Sequence, residues 1–463
     1  MLFHSPAFLV FFAAYFIAHL IVPPSYRLWL IIAGGALFYS QWNPALTWLP
    51  FLLAFLGWSG TLWISTAPDP QIRRIKLFFA LGALAVPLIV FKYTNFLLHQ
   101  VLGPLLGLQL NWSLDVPLPL GVSFITFTMM AYVIDYHREK YALERRPQMV
   151  AAYMIFFPHL IAGPILRPHK LIPQLDRPRS ALEASFKFAV LLFTVGLAKK
   201  TIFANQFADV VDHIYRSSEG NIALDYLLSI YAFSAQIYCD FSGYTDMAIA
   251  LALMIGVRLP NNFDRPYIST SVAEFWRRWH ITLSFWLRDY IYISLGGNRC
   301  SRFQRIWNVM ITMLIGGLWH GANWTFVLWG GLHGTFIILS PERRAAMFTS
   351  RFTRIIAILV TFHIVTLLWI PFRSPDVATL WRVLSGPFVN PIGDFGSFFA
   401  LNSYSLLLLF IFFVWHPFDT HARVRLLLRK LRPAVLWPAT ALVWGLAVTV
   451  SSENPGKFIY FDF

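Results

Sequence analysis

Long apolar runs separated by short basic stretches constrain this chain more than any motif in it. A helix that crosses a bilayer needs roughly 20 apolar residues, and run after run approaches that length. Charged residues make up only 13% of the 463, and hydrophobic ones 57%; soluble domains carry about 25% charged residues. Alternating strand patterns are absent, which argues against a membrane β-barrel. The formal net charge of +15 would suit nucleic acid, but the cations lie between apolar runs. That arrangement marks cytoplasmic loops, so a lipid bilayer is the expected partner and nucleic acid is not. Cys239 and Cys300 form no spaced pair, so no disulfide framework and no cysteine-based metal site is expected. The first apolar run lacks a basic leader and reads as a retained helix.

Taken in order, the runs are 8–22, 28–40, 46–64, 77–91, 120–136, 184–202, 226–257, 355–370, 403–414 and 435–450. Arg73, Arg74 and Lys76 are read as the first basic loop. Placing that loop in the cytosol puts the N-terminus outside. Residues 149–165 are apolar but broken by Pro158, Gly163 and Pro164, with Arg145 and Arg146 before and Arg167, Lys170, Arg177 and Arg179 after. They read as a re-entrant hairpin, because broken backbone at depth must be buried in protein or line a cavity. Asp209, Asp212 and Glu219 read as an external acidic loop. Residues 239–243 are expected to interrupt the run at 226–257. Residues 258–305 hold seven arginines after Arg258 and are placed on the cytoplasmic side; 306–339 dips into the bilayer and returns to Glu342, Arg343 and Arg344. Arg423 to Arg432 mark the inside again, which leaves residues 451–463 outside. The expected fold is all-α and polytopic, with about eleven transmembrane helices plus re-entrant and interfacial ones.

Polar residues stand out against this background. Ile315 to Trp324 reads I-G-G-L-W-H-G-A-N-W, with His320 at its centre. An imidazole is costly in hydrocarbon and is often functional there. Gly316, Gly317 and Gly321 clear side chains from the backbone around it, and Trp319 and Trp324 wall it. The plainer alternative is a packed histidine bonded to a neighbouring helix. In 274–290, Glu274, Arg277 and Arg278 have the spacing to pair along a helix, and Arg277, His280 and Ser284 fall on one face. Trp276, Trp279 and Trp286 would anchor it at the interface; a solvated interfacial helix is the alternative. Asp240 and Asp246 need partners at depth, and nearby arginines are the candidates for a structural ion-pair role. Residues 261–267 form a turn-rich approach. His159 has no charged neighbour and reads as a wall or capping residue.

Several of these stretches, in the same order, resemble the membrane-bound O-acyltransferase family, and within it the bacterial branch that modifies alginate and teichoic acid. They are P-L-G-V-S-F at 119–124, H-L-I-A-G-P at 159–164, D-F-S-G-Y at 240–244, R-R-W-H at 277–280, L-W-H-G at 318–321 and K-F-I-Y-F-D-F at 457–463. The resemblance implies one integral-membrane domain over 1–463, made of N-terminal helices (1–100), a catalytic core with a central tunnel (119–340) and C-terminal helices (355–463). It implies that His320 is catalytic and His280 the second important histidine.

The chemistry suits these residues. Acyl transfer from a thioester to a hydroxyl needs a base, and an imidazole with an ordinary pKa near 6.5 serves at neutral pH. The oxyanion needs donors, for which Asn323, His280 and glycine N–H groups are candidates. Trp319, Asn323, Arg277, Arg278, Trp279 and Ser284 are the candidate substrate-binding residues. The expected donor is acetyl-coenzyme A from the cytosol, with the arginines of 265–305 as its electrostatic entrance. No permanently bound cofactor is expected, and no phosphate-binding loop motif is present. The expected product is an O-acetylated extracytoplasmic polysaccharide or peptidoglycan at the inner membrane, made directly or through an extracytoplasmic acetyltransferase or hydrolase-like partner. Two alternatives stand beside this: acyl or D-alanyl transfer from a carrier protein to a lipid or teichoic polymer, and a transporter. A transporter would favour an inverted repeat, and none is visible.

Overall fold

The computed structural model describes residues 2–108, 112–161, 163–176, 183–217, 220–340, 350–453 and 459. Arg177, Arg179, Glu219, Glu342 to Arg344 and Lys457 lie outside the described residues. All regular structure among the described residues is helical. Among the described residues, five helices are long and apolar enough to cross a membrane: Pro44–Ser65, Pro70–Tyr93, Arg351–Arg373, Phe395–Phe418 and Pro433–Val450. Other apolar runs form shorter helices, such as Pro6–Ile21.

The chain divides into two compact units, residues 1–189 with 248–260 and residues 190–247 with 261–463. In the first, helices Arg27–Ser40, Trp48–Ser65, Pro70–Leu88, Val122–His137 and Pro147–Ile155 pack together. A Cβ at Gly35 would run into the carbonyl of Ile155, so these two helices meet backbone to backbone. The break expected at Pro158 is present: one helix ends at Ile155 and a single turn, Phe157–Leu160, follows. His159 donates from Nε2 to the Tyr153 carbonyl at 3.0 Å, a capping role within that break.

Three expectations about this framework are corrected. Arg73, Arg74 and Lys76 are not in a loop, because the helix begins at Pro70. Asp69 caps it by accepting from the Ile72 N–H at 2.8 Å, the usual role of Asp at that position. Asp209 and Asp212 are likewise helical, within Asn205–Arg216, where Asp212 pairs with Arg216 and Arg373. The helix Ala223–Met254 runs 32 residues without interruption through Cys239 to Gly243.

The unbroken helix is explained by its partners. Asp240 pairs with Lys200 at 2.6 Å, and Asp246 with Lys199 at 2.7 Å. Lys199 also meets Asp419 at 2.6 Å, and His421 Nε2 meets Asp246 Oδ1 at 2.8 Å. The partners are therefore two lysines from a widened π-helical turn, Lys199–Ala204, and not arginines. Gly243 sits against Gly196, where a Cβ on either would collide with the other's carbonyl. That close approach brings the lysine turn within reach of the carboxylates. The Ile459 N–H donates to Asp240 Oδ2 at 2.8 Å, and Ile459 is buried.

The run at 306–339 is a helical hairpin, Arg302–His320 and Trp324–Leu339. Ser301 caps the first helix through the Gln304 N–H at 3.2 Å. A Cβ at Gly317 would overlap the Phe326 carbonyl, and one at Gly330 the Met313 carbonyl. The first helix has 19 residues, which at about 1.5 Å each reach about 28 Å, nearly the full core of about 30 Å. His320 is the last residue of that helix.

Two outcomes follow for stability. Gly317→Val is expected to lower the unfolding temperature of the detergent-solubilised protein by the equivalent of about 1–3 kcal/mol or more, as overpacking does. Gly331→Ala, which meets only the Leu314 side chain at 3.6 Å, should be neutral or slightly stabilising. Equal melting of the two variants would contradict the hairpin contact. Lys200→Ala should cost about 3–5 kcal/mol because it strands a buried carboxylate, whereas the Lys200→Leu, Asp240→Leu double variant should lose less. Thermal melts of the three proteins decide this.

Candidate active site

His320 is the last residue of its helix and is 3% exposed. The chain leaves it in an extended conformation at Gly321, where a Cβ would overlap the Phe326 ring. Only glycine fits there, and the hairpin turns at once into the next helix. Three rings meet the imidazole edge to face: Trp319 at 4.9 Å, Trp329 at 5.1 Å and Phe372 at 5.2 Å between centroids. Phe372 comes from the long helix Arg351–Arg373, so two elements beyond the hairpin's first helix hold the ring.

His280 arrives from the other motif, and the geometry there differs from the expected helix. One helix ends at Arg278 and the next starts at Ile281. His280 lies between them at φ +41°, ψ +55°, in the left-handed region that bulky residues adopt only at some cost. The one-face arrangement of Arg277, His280 and Ser284 assumed a continuous helix and is corrected: Arg277 points to solvent while His280 is fully buried. The break aims the imidazole inward. It meets the Phe241 ring at 4.7 Å and the Trp319 ring at 5.9 Å. Trp319 therefore touches both histidines that the sequence singled out.

The tautomer of His280 can be assigned. Asn262 Oδ1 accepts from the Thr282 N–H at 3.1 Å and from the Thr282 hydroxyl at 2.9 Å. That atom is therefore the amide oxygen. His280 Nδ1, 3.2 Å away, must carry the hydrogen and donate it. Nε2 then holds the lone pair. Burial pushes this imidazole down to about 3, so it is neutral at physiological pH.

The other candidates take varied places. Trp279 is fully buried, between Phe263 at 5.0 Å and Trp369 at 4.9 Å. Arg278 pairs with Glu274 at 2.9 Å and Asp264 at 3.2 Å. Burial works against the charge on Glu274, yet hydrogen bonds from Thr270 and Arg278 hold its carboxyl below the usual range. The Ser284 hydroxyl donates to the Trp279 carbonyl at 3.2 Å and so braces the break beside His280. Asn323 caps the helix Trp324–Leu339 through the Thr325 N–H at 3.1 Å and donates to the Pro375 carbonyl at 2.7 Å. Both ends of its amide are engaged in holding the turn after His320.

Asn262 and His333 were not singled out by sequence reading. His333 is fully buried, and its Nδ1 accepts from the Trp276 indole N–H at 3.1 Å. It lies in the same apolar run as His320, so the argument that drew attention to one imidazole applied equally to the other. Asn262 sat in a segment recognised only as turn-rich, and nothing in its spacing revealed that it would orient His280.

The site thus presents two buried imidazoles that meet one indole, closed in by aromatic rings. Such a site can take a proton from a hydroxyl in a dry setting. Comparison with known proteins agrees in kind. Residues 124–373 match the model of MBOAT, the membrane-bound O-acyltransferase family. The chain is similar to the probable alginate O-acetylase AlgI of Azotobacter vinelandii, 38% identical over 396 residues, covering 84% of this chain and 78% of the relative. It is similar to the peptidoglycan O-acetyltransferase of Helicobacter pylori, 34% identical over 430 residues, covering 83% and 79%. The teichoic acid D-alanyltransferase of Streptococcus thermophilus is 28% identical over 290 residues, covering 57% and 69%. With a family match over more than half its length and a multi-pass helical fold, the chain is an acyltransferase that belongs to the membrane-bound O-acyltransferase family.

Proposed function

We propose that this enzyme moves an acetyl group from a cytosolic thioester, acetyl-coenzyme A, towards hydroxyls of an extracytoplasmic polysaccharide or peptidoglycan in the inner membrane. The observation that carries the reading is the meeting of His320 and His280 on Trp319. The names of relatives above 30% identity, among them an alginate O-acetylase and a peptidoglycan O-acetyltransferase, support the acetyl group and the class of acceptor. His320 takes the proton of the acceptor hydroxyl. The oxygen attacks the thioester carbonyl, the C–S bond breaks, and the thiol leaves. His280, locked as the Nδ1–H tautomer by Asn262, faces the same indole and orients the reacting groups. Trp319 and Trp279 wall the acyl group, while Arg278, Ser284 and Asn323 hold the two turns that carry the histidines. Arg277, exposed beside the break, belongs to the cationic entrance for the donor's phosphates.

In this reading residues 1–463 form one catalytic membrane domain with its core at 119–340. Both termini face outward, and a narrow channel reaches His320 from each side. The polymer is acetylated directly or through an extracytoplasmic partner. D-alanyl transfer from a carrier protein is the second reading, favoured by the teichoic acid relative; thioester cleavage assayed with acetyl-coenzyme A and with a carrier-bound acyl group separates the two. The transporter reading has no support from an acyltransferase family.

His320→Ala is expected to stay folded in the membrane and to abolish transfer, scored as O-acetyl content of envelope glycans; wild-type product would end this assignment. His280→Ala should lower turnover on the order of a hundredfold or more, in the range of a lost oxyanion or orienting group. Because His280 protonates only near pH 3, the acid limb of the residual turnover should stay where it is in the parent enzyme. A limb that moves with His280→Ala would assign that titration to His280 instead. For topology, cysteine labelling should find position 430 inside and 457 outside, and the reverse pattern would overturn the orientation.

A further inference from the structure

We infer that His333 is a positioning residue for the catalytic His320, acting through Trp329, and that Trp276 fixes its protonation state. The inference rests on His320 being the base. Trp329 lies between the two imidazoles, its ring 5.1 Å from His320 and 4.7 Å from His333. Trp329 and His333 are four residues apart on one helix, so they share a face and meet edge to face along it. His333 is further enclosed by Trp276 at 5.3 Å, Phe275 at 6.2 Å and Trp369 at 6.2 Å.

The hydrogen bond gives this packing a definite chemical state. An indole nitrogen only donates, so the Trp276 N–H that reaches His333 Nδ1 at 3.1 Å requires a lone pair there. A protonated imidazole would turn a second N–H against it. His333 is therefore the neutral Nε2–H tautomer, and losing Trp276 removes what selects Nδ1 as its acceptor nitrogen. With a neutral ring behind it, Trp329 meets His320 edge to face at 5.1 Å. Were His333 charged, its positive charge would stand one indole away from the base. Like charge depresses the basicity of an imidazole, so the base would lose strength where proton abstraction needs it. The Trp276–His333 bond also ties the arginine-tryptophan motif to the second helix of the hairpin, both within the second compact unit. Trp276 and the segment carrying His280 thus move together with the wall of His320.

The test uses the full chain in detergent micelles, with acetyl-coenzyme A as donor and thiol release as the readout, across pH 5–9. His333→Ala is expected to lower kcat about tenfold or more with the KM for acetyl-coenzyme A little changed. Trp276→Phe keeps the ring and removes only the hydrogen bond; it should lower kcat several-fold and leave the acid limb in place, since the tautomer of His333 is then no longer selected. His333→Gln, an uncharged side chain with a carbonyl acceptor for Trp276, should recover part of the loss and leave the limb in place. Parent-like kcat in both His333→Ala and Trp276→Phe would overturn the inference. So would a loss in His333→Gln equal to that in His333→Ala, with melting temperatures lowered alike, because that marks a packing role alone. His320→Ala is run beside them: undiminished thiol release there defeats the underlying reading of the base, whereas loss there with no change in the His333 variants defeats only this inference.

Discussion

Two adjacent lysines, Lys199 and Lys200, neutralise carboxylates at the centre of the helix Ala223–Met254. Without those pairs a helix carrying Asp240 and Asp246 at such burial would be held together against a large desolvation cost. The pairs set the register of the helix, because each carboxylate must face the widened turn that supplies its cation. Phe241 follows Asp240 directly and meets the ring of His280. The charged contacts thus determine where one wall of the active site stands. They also account for the contact between Gly196 and Gly243, since any side chain there would hold the lysines away from their partners.

The polar groups of the site act mainly by fixing hydrogen positions. Asn262 decides which nitrogen of His280 is protonated, and Trp276 does the same for His333. Both assignments follow from groups whose roles are invariant: a backbone N–H that must donate to Asn262, and an indole that has no lone pair to offer. Around these two fixed points the lining is aromatic. Rings hold an imidazole by shape and by edge-to-face contact without competing for its proton. That division of labour suits a base, which must be held still yet remain available.

Much of the framework was legible because hydrophobic run length and punctuating residues carry direct physical meaning. The hairpin around Gly321, the break before His159 and the burial of His320 all follow from glycine, proline and the cost of polar groups at depth. The failures have equally definite causes. Asp69-Pro70 is a helix start, and a run of cations read as a loop concealed it. The helix through Asp240 stayed unbroken because its counter-ions come from a turn some forty residues earlier, which no local pattern announces. Periodicity also suggested one helix across 274–290, whereas His280 interrupts it. A reversal of backbone hand at a single non-glycine residue leaves no compositional trace, because tertiary contacts impose it. His333 was missed for another reason, since its significance lies in a partner 57 positions away.

The backbone at His280 has one more consequence. A left-handed conformation costs a residue with a Cβ of order 1 kcal/mol or more, while glycine adopts it freely. The fold therefore carries a permanent local debt at the residue that faces Trp319. Relieving it would be simple in chemical terms, since glycine at that position relaxes the chain. It would also delete the imidazole. Selection for stability alone would drift away from histidine here, as it would from the other non-glycine residues of this backbone region, Glu139 and Arg265. The same logic turns an unfavourable torsion into a guide for engineering: stabilising changes should be sought in the glycine-poor outer helices, and the strained junction between the two short helices left as it is.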